Sequence, residues 1–589
     1  MILQALTKYY EDLLNRGSIA RPGWNLSKVS YGLLLDDEGR PEQLLHLQQE
    51  VPRGKKMVLA PQEYSLPAPV KRSSDVAVNF LWDNSGYLLG ADSKGKPERS
   101  AKCFAAAKEL HLKLLKDEDS PAARSIVRFF ETWDPDRAAS YPVLQAEWED
   151  LMKGGNLTFW YQGRLAAEDP VIRAAWQRHY DGGNNTGEQD ILCLVTGRHG
   201  PLAQIHPSIK GVAGAQPTGA SLVSFNASAF CSYDHEKGAN APTCEYAAFA
   251  YTTALNTLLA DHNHVCRVGD TTIVLWANGA DSAYQDWAVQ ALFGSMSPET
   301  PSYQENDLLN ALKQLADGHP IDWDENRLDP GTRFYVLGLA PNAARLSVRF
   351  FWQNSFGQLA QNLDAHYKRL QIVRPAYDQT SPLTVWRMVL ETVRKVPAGA
   401  KRPEPNPRLA GDLLLAILND TSYPATLLDG VQLRIRAQQE ISWGQAAILK
   451  AYYLRNSSKE QLKEVMTMEL NEQSTYLPYV LGRLFSVLEA VQQRANPGIN
   501  TTIKNRYFNS ASATPALVFP SLINLAQKHL NKLNKLDGGL ATYYDKRISE
   551  LNSLITETLP ARMTLPEQNA FQIGYYHETQ KRYTKKEEK

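Results

Sequence analysis

The sequence predicts an α+β fold: a mixed α/β N-terminal and central region followed by an all-α C-terminal helical bundle. Three observations predict it. Short apolar runs such as SYGLLL, LTFWYQG and TTIVLWA, bounded by Gly, Asn and Asp, recur through the first two thirds of the chain. From Arg408 onward strand signals are almost gone. Beyond Met466, apolar residues recur at alternating spacings of four and three, in segments separated by the breakers NPG, DGG and LP.

The elements follow in order. Ile2, Leu6, Tyr9 and Leu13 mark one face of a helix over Met1–Asn15. Ser30–Gly39 and Glu42–Gln49 read as a hairpin, with Asp37–Gly39 at its turn, and Phe80–Gly90 as a second hairpin around DNSG. A helix is expected over Ala101–Leu115. Another starts at Ser120, where Ser at the N-cap precedes Pro in the first turn. Leu157–Gly163 and Ile191–Gly197 read as strands around the polar loop Asp181–Gln189.

The stretch His206–Asn256 is built from Gly, Ala, Ser, Thr and Asn. It predicts a strand over Leu222–Phe230, a polar loop over Ser232–Pro242 and a helix over Glu245–Ala260. Long loops in a compact protein tend to carry function. Strands are expected at Thr271–Ala277 and within Arg333–Gln353, the latter paired around APNAAR. Leu383, Trp386, Leu390 and Val393 mark a helix. Pro397–Pro407, with four prolines, reads as an extended boundary. The bundle stripes are Leu477–Leu481–Leu484–Leu488–Val491, then Leu522–Ala526–His529–Leu533, then Tyr544–Ile548–Leu551–Ile555.

At 589 residues the chain is too long for one core. The expected division is an N-terminal α/β domain (1–190), a central α/β region with Gly/Ser/Asn-rich loops (191–380), a helical connecting region (381–465) and the bundle (466–589). Lys+Arg and Asp+Glu number 63 each, so the formal net charge is zero. A freestanding nucleic-acid binder is usually basic. A nucleic-acid role therefore needs local patches or a larger complex that supplies the charge. Five cysteines without a CxxC pair fit a reducing cytoplasm and read as buried thiols. The N-terminus is too charged for a signal peptide, and no apolar run approaches a membrane span.

Catalytic signatures are absent from the sequence: no GxGxxG opening a helix, no GxxxxGK[ST], no HExxH, no GxSxG. His262 and His264 alternate as strand metal ligands do, yet lack a third ligand nearby. DGGNNTG resembles a phosphate-cradling loop in composition alone. No cofactor or metal is expected. Local signals do suit nucleic acid. Lys71, Arg72, Ser73 and Ser74 precede Asn79 and Asn84, a set able to bond phosphates and base edges. Ser224, Asn226 and Asn240 form a second polar group. Arg345, Ser347 and Arg349 alternate onto one strand face, suited to a phosphate backbone or simply to solvent. Lys504, Arg506, Tyr507 and Asn509 interleave basic and aromatic residues in a polar loop between helices. Residues 466–589 carry 15 Lys+Arg against 11 Asp+Glu, a surplus of four positive charges. His206, Lys210 and Tyr233 read as scaffold for the central loops.

HPSIKGVAGAQPTGASLVSFNASAFCSY, with NAP at Asn240–Pro242, resembles the large subunit of subtype I-C CRISPR surveillance (Cascade) complexes. KRSSDVAVNFLWDNSGYLLG, FYVLGLAPNAARLSVRF and YPATLLDGVQLRIRAQQEI are similar to the same family, from near Met1 to the end. The resemblance implies a non-enzymatic subunit that probes duplex DNA for a protospacer-adjacent motif, helps open it, and leaves sequence reading to the guide RNA. Implied partners are the handle-binding, backbone and small subunits, the CRISPR RNA, target double-stranded DNA and a separate helicase–nuclease. Motif probing and complex docking are expected in the N-terminal domain. The resemblance also suggests that a small subunit starts internally at Met466 or Met468 and folds as a self-contained bundle. Two other classes stay open: a metal-dependent nuclease, and a purely structural assembly subunit.

Overall fold

The computed structural model describes the chain except residues 54–55, 71–75, 93–96, 153–154, 184–189, 262–264, 295–304, 376–381, 397–402 and 584–589. Lys71, Arg72, Ser73, Ser74, His262 and His264 thus lie outside the described residues, as do most of the DGGNNTG loop and the start of the Pro397–Pro407 segment. The fold is α+β. The chain divides into two units: Met1–Pro207 with Ser224–Ala254, and Ser208–Val223 with Leu255–Lys589.

In the first unit the strands Pro41–His46, Tyr31–Leu35, Asn156–Tyr161 and Trp82–Asn84 lie side by side in that order. The hairpin expected over Ser30–Gln49 forms between Tyr31 and His46, its turn tied by the Asp36 carboxylate accepting from the Arg40 N–H at 2.7 Å. Asn156–Tyr161 runs parallel to Tyr31–Leu35, which requires a long crossover; the helices Pro97–Leu115 and Pro121–Thr132 lie within it. Ser120 caps the second of these as its position predicts. Phe80, Phe129, Phe130, Phe159 and Trp176 are buried between these layers. A separate three-stranded sheet joins Trp24–Val29, Lys56–Pro67 and Gln48–Arg53.

Three sequence expectations in this unit are corrected. Phe80–Gly90 is not a hairpin. Asn84 Oδ1 accepts the Gly86 N–H at 3.1 Å and starts the short helix Ser85–Leu88, so capping by the side chain outcompetes the turn. The strand at Ile191 stops at Leu192, because Gly197 N–H donates to Cys193 O and closes a turn. Leu222–Phe230 is not a strand. Its backbone ladder ends at Ser221, which bonds to Ala344 and Leu346, and a short 3-10 turn forms at Ser228–Phe230. The helix Glu245–Ala260 forms with the bounds expected.

The second unit is centred on an antiparallel sheet, in the order Val265–Val268, Thr271–Ala277, Arg333–Asn342, Arg345–Ser355. Thr271–Ala277 is buried at every position, so both faces of the sheet are covered there. From Leu409 on, every regular element among the described residues is a helix. The bundle stripes pack largely as expected, with Leu481, Leu484, Leu488, Leu522, Leu533, Tyr544 and Leu551 buried and His529 and Ile555 at the margin. INTTIKNRYFNSAS is corrected from loop to helix. Thr502 and Asn505 form a capping box that starts Ile503–Ala513.

The C-terminal helices share their core with the helices and sheet that precede them. One continuous core joins residues from Cys266 to Tyr576, and buried Met466 belongs to it. Asn569, fully buried, donates to Gln432 at 2.6 Å and accepts from the Tyr453 hydroxyl at 2.6 Å. Val373 N–H donates to Met468 O at 2.8 Å.

Candidate nucleic-acid interface

Two places in the first unit hold polar segments under local strain. The first lies around residue 80. Leu81 is buried with φ +66°, a conformation that a bulky side chain rarely adopts. It is held by its N–H donating to His111 Nε2 at 2.9 Å and by Thr158 Oγ1 donating to its carbonyl at 3.1 Å. His111 Nδ1 in turn donates to Ala107 O at 2.7 Å, which fixes the neutral tautomer, and burial lowers its pKa to about 4. Asn79 is only 5% exposed. Its Oδ1 accepts the Val70 N–H at 3.0 Å, and its own N–H donates to Asp83 at 3.1 Å. Both candidate asparagines are therefore engaged internally: Asn79 anchors Val70, immediately before Lys71, and Asn84 caps a helix.

The second place is the loop before the helix Glu245–Ala260. Ala203 N–H donates to Thr243 O, Leu194 N–H to Pro242 O and Gly238 N–H to Gln204 O. Gly238 is required here, since a Cβ would come within 2.0 Å of Ala203 O. Asn240 then organises the tip. Its Oδ1 accepts from Ser232 N–H at 2.9 Å, and its Nδ2 donates to His235 O at 3.0 Å and Lys237 O at 3.1 Å. This clamp holds Tyr233, Asp234 and Lys237 at positive φ. Such positions cost about 1–3 kcal/mol each and persist where surrounding bonds over-determine them, often at ligand clamps. Tyr233 is 93% exposed, and Phe230 is also exposed. Asn240 thus clamps the loop tip. Ser224 is half-buried and Asn226 exposed on the approach to the tip.

Tyr233 also departs from the scaffold role expected for it, while His206 takes part in it through its ring and Lys210 through its backbone alone, its side chain being exposed. The His206 ring bonds the buried Tyr251 hydroxyl at 2.7 Å, and Lys210 N–H donates to Asn256 at 2.8 Å. The sequence carries a faint sign of the exposed ring, an aromatic in the otherwise polar SYDHEKG.

In the second unit Arg345 and Arg349 lie on the strand Arg345–Ser355, but the expected alternation onto one face is broken by a bulge that leaves Arg349 between the Leu339–Val348 and Gly338–Phe350 pairs, and Arg349 is paired with Asp270 at 2.6 Å. Lys504 lines a cleft of about 1040 Å³ with Trp443, Tyr575, Arg582 and Tyr583. A second cleft of about 1010 Å³ shares Gln493, Arg582 and Tyr583 and adds Arg494, Tyr543 and Arg547. Arg506 lies exposed on the same helix as Lys504, and Asn509 is spent on the Arg436 carbonyl at 3.0 Å. Basic and aromatic side chains therefore do interleave, in a groove assembled from several helices. Arg494, Tyr543, Arg582 and Tyr583 are too scattered in sequence to have signalled it. Inside the groove wall, Arg483 and Arg547 both bond the buried Glu578, at 3.1 and 2.9 Å.

Among the described residues no three or more His, Cys, Asp or Glu side chains converge to hold a metal. Among them, too, no helix is long and apolar enough to cross a membrane.

These features describe a protein built to hold polar and aromatic groups at its surface, and comparison with known families gives it a class, that of the CRISPR-associated proteins. The chain belongs to the family described as CRISPR-associated protein (Cas_Csd1), whose model matches residues 6–583. No curated protein matches it.

Proposed function

We propose that the chain is the non-catalytic large subunit of a type I-C CRISPR RNA-guided surveillance complex, acting in the cytoplasm without a cofactor of its own. In this reading it recognises a protospacer-adjacent motif in double-stranded DNA, promotes duplex opening and R-loop formation, and helps recruit a separate helicase–nuclease. Its partners are the guide-RNA-bound subunits, the CRISPR RNA and target DNA. Family membership supports the setting. The observation that carries the DNA-probing role is the Tyr233 tip: an aromatic ring almost wholly in solvent, on a backbone held in left-handed conformations by Asn240. An exposed ring on a pre-ordered loop pays little entropy on stacking against a base, a contact worth about 1–3 kcal/mol.

Lys71–Ser74, preceded by the anchored Val70, supply phosphate or base-edge donors near a motif. Arg345, Lys504, Arg506 and the Arg494–Arg582 groove take the backbone of a separated strand. Arg349 joins them by exchanging Asp270 for phosphate.

The test uses the complex reconstituted with and without this chain, on duplexes with and without the motif. Permanganate footprinting reads base opening. Tyr233→Ala is expected to weaken motif-dependent binding about tenfold or more and to reduce opening, with assembly unchanged. Lys71→Ala and Arg72→Ala weaken binding, with a flatter salt dependence if they touch phosphate. Equal motif-dependent opening with and without this chain would leave only an assembly role. Metal-dependent DNA cleavage that a single substitution in this chain abolishes would overturn the non-catalytic reading.

A further inference from the structure

Four of the five cysteines are buried, but they are not alike. Cys266 behaves as a core thiol, its pKa pushed up to about 12 by burial. Cys193 and Cys244 instead pack together, with Ala247 beside them, although 51 residues separate them in sequence. Cys193 follows the strand Asp190–Leu192. Cys244 immediately precedes the helix Glu245–Ala260 and closes the Tyr233 loop.

The Cys244 backbone N–H donates to Cys193 Sγ at 3.2 Å, and the Cys244 Sγ lies 4.0 Å from the Thr196 hydroxyl. Burial alone would raise the Cys193 thiol. Donation from Cys244 N–H and from Thr196 outweighs it and leaves the pKa lowered to about 7, while Cys244 is raised by burial. The pair is thus asymmetric, one sulfur ready to be a thiolate and the other protonated. Cys244 and Thr196 also line an open cleft of about 670 Å³ whose walls include Lys8 and Arg198, which brings a small oxidant up to the two residues that bond Cys193, itself just behind the cleft wall.

We propose that Cys193 and Cys244 are a hydroperoxide-reactive thiol pair that closes into a reversible disulfide at the foot of the Tyr233 loop. The Cys193 thiolate attacks the peroxide O–O bond, taking one oxygen as sulfenic acid; the other oxygen leaves as hydroxide and is protonated to water. The Cys244 sulfur then attacks the Cys193 sulfur, forming the S–S bond and expelling the second oxygen as water. Two thiols lose two electrons in total, and one hydroperoxide is reduced. An external dithiol returns two electrons and two protons and restores the thiols. Closure cross-links the 190–202 segment to the loop's last residue and so ties down the base on which the Tyr233 tip stands.

The test treats the full-length protein with hydrogen peroxide, blocks free thiols with N-ethylmaleimide and maps peptides by mass spectrometry. A Cys193–Cys244 linked peptide is expected, two hydrogens lighter than the reduced pair and lost on adding dithiothreitol. Cys103 and Cys266 stay alkylatable after denaturation. With Cys244→Ser, dimedone traps Cys193 as sulfenic acid; with Cys193→Ser, Cys244 stays reduced at the same peroxide dose. Dimedone labelling of the unsubstituted protein at early times gives Cys193 as the first site, with no dependence on a variant's folding. Oxidation of Cys231 with both Cys193 and Cys244 recovered as free thiols would overturn the proposal. So would Cys244 oxidising at the parent rate in Cys193→Ser.

Discussion

Replacing Gly482 with alanine is expected to be the most damaging single-methyl change in the second unit. The helices Leu477–Ala495 and Leu565–Lys581 approach so closely that a Cβ at Gly482 would lie 1.9 Å from Phe571 O and 2.9 Å from Tyr575 N–H. The contact is reciprocal, since a Cβ at Gly574 would lie 2.2 Å from Tyr479 O. Real Cβ contacts essentially never fall under 3.0 Å, so the two backbones must part by about 1 Å. Overpacking of this kind costs about 1–3 kcal/mol.

The same displacement stretches the bonds that cross the seam. These are the Tyr479 hydroxyl to His577 Nδ1 (2.9 Å), Arg483 Nε to Glu578 (3.1 Å), Ser486 to Thr579 (2.7 Å) and the Tyr575 hydroxyl to Glu489 (2.6 Å). Weakening one buried charged pair adds ~1 kcal/mol, giving about 2–4 kcal/mol in total. For a cooperative unit of this size that lowers the unfolding midpoint by roughly 3–5 °C. Differential scanning calorimetry of Gly482→Ala beside the parent measures it. Gly411→Ala is the control: in the helix Leu409–Leu418 its Cβ would meet only Thr271 Oγ1, at 3.9 Å, so it is expected to leave the midpoint unchanged or raise it slightly. A Gly482→Ala midpoint within about 1 °C of the parent would refute the close-packed seam.

Other outcomes follow from the same structure. Burial lowers the pKa of His111 to about 4 and of His366 and His577 to about 3, from 6.5, with Arg369 contributing at His366 and Lys450 and Arg483 at His577. The unfolded chain then takes up protons first as pH falls below about 6.5. Stability is therefore full above that value and declines through the window down to about 4 or 3, by about 2 kcal/mol per histidine at pH ~5, readable from urea midpoints across pH. Glu578→Gln leaves Arg483, 1% exposed, without its carboxylate and is expected to destabilise by about 3–5 kcal/mol by urea titration. Asn240→Ala removes three loop bonds and should increase amide exchange over 232–240 while the midpoint stays within about 1 kcal/mol of the parent. If the internal start is used, mass spectrometry of the native complex finds chains beginning at Met466 or Met468. Because Asn569 and Met466 then lose the cover of residues 409–464, such chains are expected to be recovered bound to partners rather than as free monomers.

Local chemistry made much of the fold legible. Ser120 and Pro121 announce a helix start, the Glu245–Ala260 helix shows its length, and the leucine stripes after Leu477 show the bundle. What stayed hidden depends on distant partners. DNSG reads as a turn until Asn84 is seen capping Gly86, and LVSFNASAF reads as a strand until the pairing of its own segment is found to end at Ser221. The candidate site was legible as a region but not by residue. Polar side chains that suit DNA, such as Asn79 and Asn240, suit backbone clamping equally well, and only burial and bond partners separate the two uses. Tyr233 could not be placed, because exposure at a loop tip follows from the clamp beneath it.

The passage of the chain between its two units has a consequence for dissection. It switches at 207/208, returns at 223/224 and switches again at 254/255, the last inside the helix Glu245–Ala260. No single break leaves both halves whole. A fragment ending at Pro207 forfeits Tyr233, Asn240 and Cys244 together, and one beginning at Leu255 forfeits the thread through Ser221 that lies along Arg345. Truncation experiments on this protein therefore remove structure from the half they mean to keep, and internal point changes are the cleaner instrument.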